Sequence, residues 1–175
     1  MSTAVLNRPT IAIPATRTLT GVYRESIRTA VRGRINDVVL ATASRDEARA
    51  ALALIAAEFG RVVHCAADNL GSVDELTSEL RAGGVSAVVI TGAADVASII
   101  ALTNHVHRYG ARVAVDATEI IARQPFSTVS HGVDYVICGA EALPVGPTGA
   151  VLIGRADWLT DSDYVRTDDV KGPLA

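Results

Sequence analysis

The sequence predicts a single α/β domain, a three-layer α/β/α sandwich around a mostly parallel, mixed sheet of seven strands. Three observations lead there. Short β-rich runs alternate with helical patterns along the chain, the rhythm of βαβ units. Hydrophobic residues make up 49% of the chain but aromatics only 4%, so the core is built from Ala, Val, Leu and Ile, which suits strands covered on both faces. The length, 175 residues, fits one domain with its own core.

TIAI (10–13) is the first expected strand, and Thr20–Gly33 reads as a helix. DVVLAT (37–42) follows, then a helix over Arg45–Phe59, rich in good helix formers and stopped by Gly60. RVVHCA (61–66) is the next strand. VDELTSELRAGG makes a short helix ending in a glycine pair, and AVVITG (87–92) returns to the sheet. Asp95–Tyr109 forms another helix with Gly110 just beyond it, leading to ARVAVDA (111–117). A less regular helix precedes VDYVICGA (133–140), and AVLIGR (150–155) comes last. The connection between these two, which holds GPTG, is too short for a crossover helix, so the last strand is expected to return antiparallel at the side of the sheet. The domain is expected over 1–165 and a polar tail over 166–175, and the stretch from Asp157 onward reads as polar, with no further core element.

A formal net charge of -3, with 15 scattered arginines, gives no electrostatic reason to expect a nucleic-acid partner. Cys65 and Cys138 lie in separate apolar runs and read as two buried thiols rather than a disulfide. No Cys/His spacing suggests a metal site. No apolar run approaches the ~20 residues of a spanning helix, and MSTAVLNRPT has no signal-like apolar stretch. The expected compartment is the cytoplasm, with no membrane association. His105 and His107 read as surface helix residues, His64 and His131 as isolated, and no Ser-His-Asp triad can be assembled.

In sheets of this kind ligands sit beyond the carboxyl ends of the strands. The stretches to inspect are Thr16–Gly21, Thr42–Asp46, Gly92–Asp95, Asp116–Glu119 and Gly139–Pro147. TRTLTGVYRES offers Thr18, Thr20 and Gly21 at a helix N-terminus, a place suited to an anion, although Thr-rich starts are also simple caps. Asp95, Asp116, Glu119 and Glu141 are four acids near strand ends. They read either as helix caps or as oxygen ligands for a divalent cation.

From Val38 onward the order of features resembles the class V aminotransferase family, which includes cysteine desulfurases and selenocysteine lyases. DNLGSVDELTSEL, the block from AVVITG through ARVAVDAT, and HGVDYVICGAEALPVGPTGAVLIGRADWL carry the likeness, over about residues 10–165. The resemblance implies the large domain of a pyridoxal-phosphate (PLP)-dependent transferase, truncated, since the family's small domain is absent.

It also implies roles by position. Asp116 matches the aspartate facing the pyridinium nitrogen, where a carboxylate keeps the ring protonated as an electron sink; read from the residues alone, it is a strand-end helix cap. Glu119 and Asp95 stand where the family has neutral cofactor contacts. Thr18, Thr20 and Gly21 match its phosphate-cradling loop. The Schiff-base lysine, eight residues after the Asp of the Asp-Tyr pair, falls on Ala142, and Glu141 replaces the histidine before it. The only lysine in the chain is Lys171, and arginine cannot substitute, because a Schiff base needs a neutral amine. The family's Glu-His pair would fall near Ser44–Asp46, where there is no histidine.

The implied function is a non-catalytic domain of this fold in a binding or partner-subunit role, a homodimer or a heterodimer with a full-length relative, with PLP present only if the family site is retained. Two alternatives stand beside it: a truncated piece of such an enzyme, and a small-ligand or metal-binding enzyme using the strand-end acids.

Overall fold

The computed structural model describes residues 17–18, 22–68, 71–93, 95–143 and 149–159. Its elements are β1 (Arg17–Thr18), α1 (Val22–Ala30), β2 (Val38–Thr42), α2 (Arg45–Ala57), β3 (Arg61–Ala66), α3 (Gly71–Ala82), β4 (Val85–Thr91), α4 (Val96–His107), β5 (Arg112–Asp116), α5 (Thr118–Ile121), β6 (Tyr135–Gly139), a 3-10 turn (Ala140–Ala142), β7 (Ala150–Gly154) and α6 (Ala156–Leu159). Six expected strands coincide with β2 to β7. The seventh, 10–13, lies outside the described residues, and the first strand of the sheet is the two-residue β1.

The strand order is β1-β2-β7-β6-β5-β4-β3. β3, β4, β5 and β6 pair in parallel, joined through α3, α4 and α5. β7 runs antiparallel, as the short connection requires, but not at the side of the sheet. It is inserted between β6 and β2 and pairs with both over its full length, Ala150 to Gly154. The reason is burial: all five residues of β7 are apolar or glycine and all are buried, a pattern that only an interior strand satisfies.

Two glycines make the insertion possible. Gly149, at the end of the GPTG run, has φ +110°, and a Cβ there would lie 2.7 Å from the Ala43 carbonyl oxygen. At the other end of β7 a Cβ on Gly154 would lie 2.7 Å from the Asp134 carbonyl oxygen. Only glycine lets the strand enter and leave the sheet so closely against its neighbours.

Alternation along each strand splits the core in two. One face of the sheet packs Val39, Val88, Val113, Val136 and Val151 with Ile27 of α1, Leu80 of α3, and Ile99 and Val106 of α4. The other packs Leu40, Val89, Ala114, Ile137 and Leu152 under α2, through Leu52 and Ile55. This is the expected three-layer sandwich. Trp158 and Leu159 belong to the second core, so the expectation of no core element from Asp157 onward is corrected. Trp158 stacks between Tyr135 and Phe59, with centroids 5.2 and 4.9 Å away, placing three of the chain's few aromatic rings in one ladder.

Cys65 and Cys138 are both buried. They lie on β3 and β6 with two strands between them, about 14 Å apart at the usual strand spacing, too far for a disulfide. Among the described residues no helix is long and apolar enough to cross a membrane.

Candidate functional site

The parallel strands bring Asp95, Asp116 and the 3-10 turn with Glu141 and Ala142 to the same, carboxyl end of the sheet. Asp116 is the buried acid among them, its side chain 8% exposed. Oδ1 accepts a 2.7 Å hydrogen bond from the Thr118 hydroxyl and a longer one from the Thr118 N–H. The Thr118 hydroxyl in turn accepts from the Gly139 N–H at 2.9 Å. Thr118 is buried, so one side chain ties the end of β5 to the end of β6 and fixes the orientation of the carboxylate.

Oδ2 faces α2. Arg49 approaches it at 3.4 Å and Arg45 at 3.9 Å, and Arg49 also pairs with Asp46. Both arginines reach across from a helix about 70 positions earlier in sequence, so no local pattern links them to Asp116. A signal was nevertheless present. Arg45 opens α2, where the helix dipole disfavours a cation, in a stretch already marked for inspection. Thr118 also fell in a marked stretch, Asp116–Glu119, but nothing in the sequence pointed to its bond across to Gly139.

The other expected site residues are placed differently. Asp95 is exposed and caps α4: its Oδ1 accepts the Ser98 N–H at 2.7 Å. That backbone hydrogen bond, with a further one to the Ser98 side chain, holds its carboxyl below the usual range. Glu119 is exposed in the first turn of α5. The structure thus does not draw the four acids around one point, and among the described residues no group of three or more His, Cys, Asp or Glu could hold a metal ion. The cap reading holds for Asp95, while Asp116 is an ion-paired acid. Thr18 lies in β1, whereas Thr20 and Gly21 fall outside the described residues.

Ala142 ends the 3-10 turn after β6, and its methyl group packs against the larger core. Glu141 folds its carboxylate back over Gly139, into the space a Cβ would take there. The Cys138 thiol lies beside this group. Burial, with Asp116 and Glu141 adding to it, pushes it up to about 12, so it is a protonated, unreactive thiol.

A PLP ring fits this set of residues poorly. Asp116, which the resemblance sets against a pyridinium, already has two guanidinium neighbours, and Ala142, where the resemblance sets the lysine, carries only a methyl group packed against the core.

His107 lies at the surface as expected and His105 is half-buried, and both have polar partners. His105 contacts the Thr77 hydroxyl at 3.0 Å, and His107 Nε2 lies 2.8 Å from Asp134 at the opposite end of the sheet. His131 is not isolated either: its Nδ1 accepts the Ser127 N–H and its ring meets Phe126 edge-on.

No protein-family model matches the sequence, and no curated protein matches it. Solved structures do match. A NifS-like protein from Rickettsia africae aligns over 77% of this chain and 46% of its own, with TM-score 0.61 and 16% identity. The cysteine desulfurase CsdA from Escherichia coli aligns over 78% of this chain and 43% of its own, with TM-score 0.58 and 17% identity. A chain of the SepCysS–SepCysE N-terminal domain complex aligns over 79% and 47%, with TM-score 0.59 and 12% identity. The chain has the class V aminotransferase fold shared by the NifS-like proteins and cysteine desulfurases. It spans about half the length of the solved proteins it matches.

Proposed function

We propose that this chain is a non-catalytic domain of the class V aminotransferase fold that works as a folded partner subunit. The observation that carries this reading is Ala142. Where the resemblance sets the Schiff-base lysine, this chain has a partly buried methyl group packed against the core, and the sequence holds a single lysine, Lys171, outside the matched motif. No amine is available there to form or exchange an imine with a substrate amino group.

A partner role is supported by one matched structure, which is itself a complex of two proteins. The natural partner is a second copy of the chain or a full-length protein of the same fold. The reading as a piece of a longer enzyme shares the missing lysine and differs in self-sufficiency: a piece would need its remainder to stay folded.

Two measurements test the proposal. Purified protein mixed with excess PLP and reduced with borohydride should carry no cofactor; a specific reduced adduct at Lys171, the single lysine, would end the non-catalytic reading. Light scattering at micromolar concentration, with a pull-down against a full-length protein of the fold, should show a dimer or a heterodimer. A stable monomer that binds no such protein would remove the partner role.

A further inference from the structure

Asp116 stands where the fold's enzymes are expected to hold a cationic ring nitrogen, and a carboxylate left 8% exposed without a counter-charge is strongly destabilising. Here the counter-charge is internal. Arg49 and Arg45 lie one helical turn apart on the same face of α2, and both guanidinium groups point at Oδ2 while Thr118 holds Oδ1. α2 itself is fixed on the sheet by Ala48, Leu52 and Ile55, so the arginines are delivered by a rigid element. The arginines are 40% and 31% exposed. They keep water on their outer side, and the burden of pairing falls on the aspartate.

We propose that Arg45 and Arg49 form a built-in counter-cation that takes the place of a pyridinium ring at Asp116, making the folded domain independent of any cofactor. This rests on the non-catalytic reading and extends it. The loss of the lysine removes the covalent bond, and the arginine pair removes the need for the ring. Separations of 3.4 and 3.9 Å are longer than ideal charged hydrogen bonds, so the attraction is mainly Coulombic and responds to salt.

The test separates the two ideas. Pyridoxine 5′-phosphate has no aldehyde and cannot form a Schiff base, so it probes the ring position alone. At millimolar concentration it should leave the wild-type Tm unchanged. A rise in Tm that disappears in Asp116→Asn would overturn the counter-cation, whatever borohydride trapping says about the lysine position.

Urea denaturation then measures the coupling. Arg45→Met/Arg49→Met should lower the folded-to-unfolded ratio about tenfold, and adding Asp116→Asn should restore most of it, because the uncompensated charge is gone. The restoration should shrink at high salt. Strictly additive effects would mean that the arginines do not serve Asp116, and would also overturn the proposal.

Discussion

Asp134 at the amino end of the sheet and Asp116 at the carboxyl end are both buried carboxylates with arginine partners, and the two are held very differently. At the amino end Asp134, 4% exposed, accepts the Val113 N–H at 2.9 Å, meets His107 at 2.8 Å and Arg112 at 3.2 Å, and has Arg155 at 3.9 Å. Arg112 and Arg155 continue to Asp157, to which the Tyr135 hydroxyl donates at 3.1 Å. Burial works against ionisation of Asp157, but Arg112, Tyr135 and Arg155 hold its carboxyl below the usual range. Burial and the adjacent Asp157 push the Tyr135 phenol well above its normal range, so it stays a donor.

At the carboxyl end Asp116 has short bonds only from its neighbour Thr118, and its cations stand further off. The amino end is a structural lock that joins β5, β6, β7 and α6. The carboxyl end is where the fold ordinarily leaves room for a ligand, and here long-range charge fills the role. Dense short bonds hold the amino end, whereas Asp116 is held by one neighbour and two more distant cations.

The largest expected effect tests this contrast directly. Asp134→Ala strands the Val113 N–H and the inner face of Arg112, and should cost about 3–5 kcal/mol in urea denaturation. Asp116→Ala releases two partly hydrated arginines and should cost only about 1 kcal/mol. Equal losses would erase the distinction between the ends.

Next, Trp158→Ala should cost about 3 kcal/mol by removing the middle ring of the Phe59–Trp158–Tyr135 ladder. A loss under about 1 kcal/mol would show that α6 is no part of the lock. Thr118→Val keeps the shape but leaves the buried Gly139 N–H without its acceptor, for about 1–3 kcal/mol. If stability and the hydrogen-exchange protection of the Gly139 amide are unchanged, Thr118 does not join the strand ends.

The smallest effect is a pH dependence. Burial raises the Cys138 thiol from its ordinary 9.0 to about 12 in the folded protein. Above pH 9 the unfolded chain loses this proton and the folded one does not. The stabilisation is complete below pH 9 and declines as pH rises towards 12. Between pH 9 and 10 the decline due to this thiol should be at most about 1.4 kcal/mol, and Cys138→Ala should remove most of the slope, leaving the smaller part that the raised Tyr135 phenol contributes as unfolded tyrosine begins to ionise. An undiminished slope in Cys138→Ala would place its source elsewhere.

Much of this protein is determined locally. The period of the apolar residues in 37–42, 61–66, 87–92 and 111–117, and glycine stops such as Gly60 and Gly110, mark strands and helices without knowledge of what they pack against. The absence of lysine at Ala142 is equally a matter of sequence. What the sequence could not decide depends on pairing between distant segments. β7 is antiparallel because its connection is short, but its place between β6 and β2 follows from burying both of its faces. Asp95 and Asp116 look alike as acids after strands. One becomes an exposed cap, because its own helix N-terminus is the nearest donor, and the other a buried ion pair, because packing of α2 carries Arg45 and Arg49 across the sheet end. Local periodicity fixes which residues face inward, whereas the partners of a buried charge are fixed only when elements far apart in sequence dock, since electrostatic and hydrogen-bond energies depend on distance in space and not along the chain.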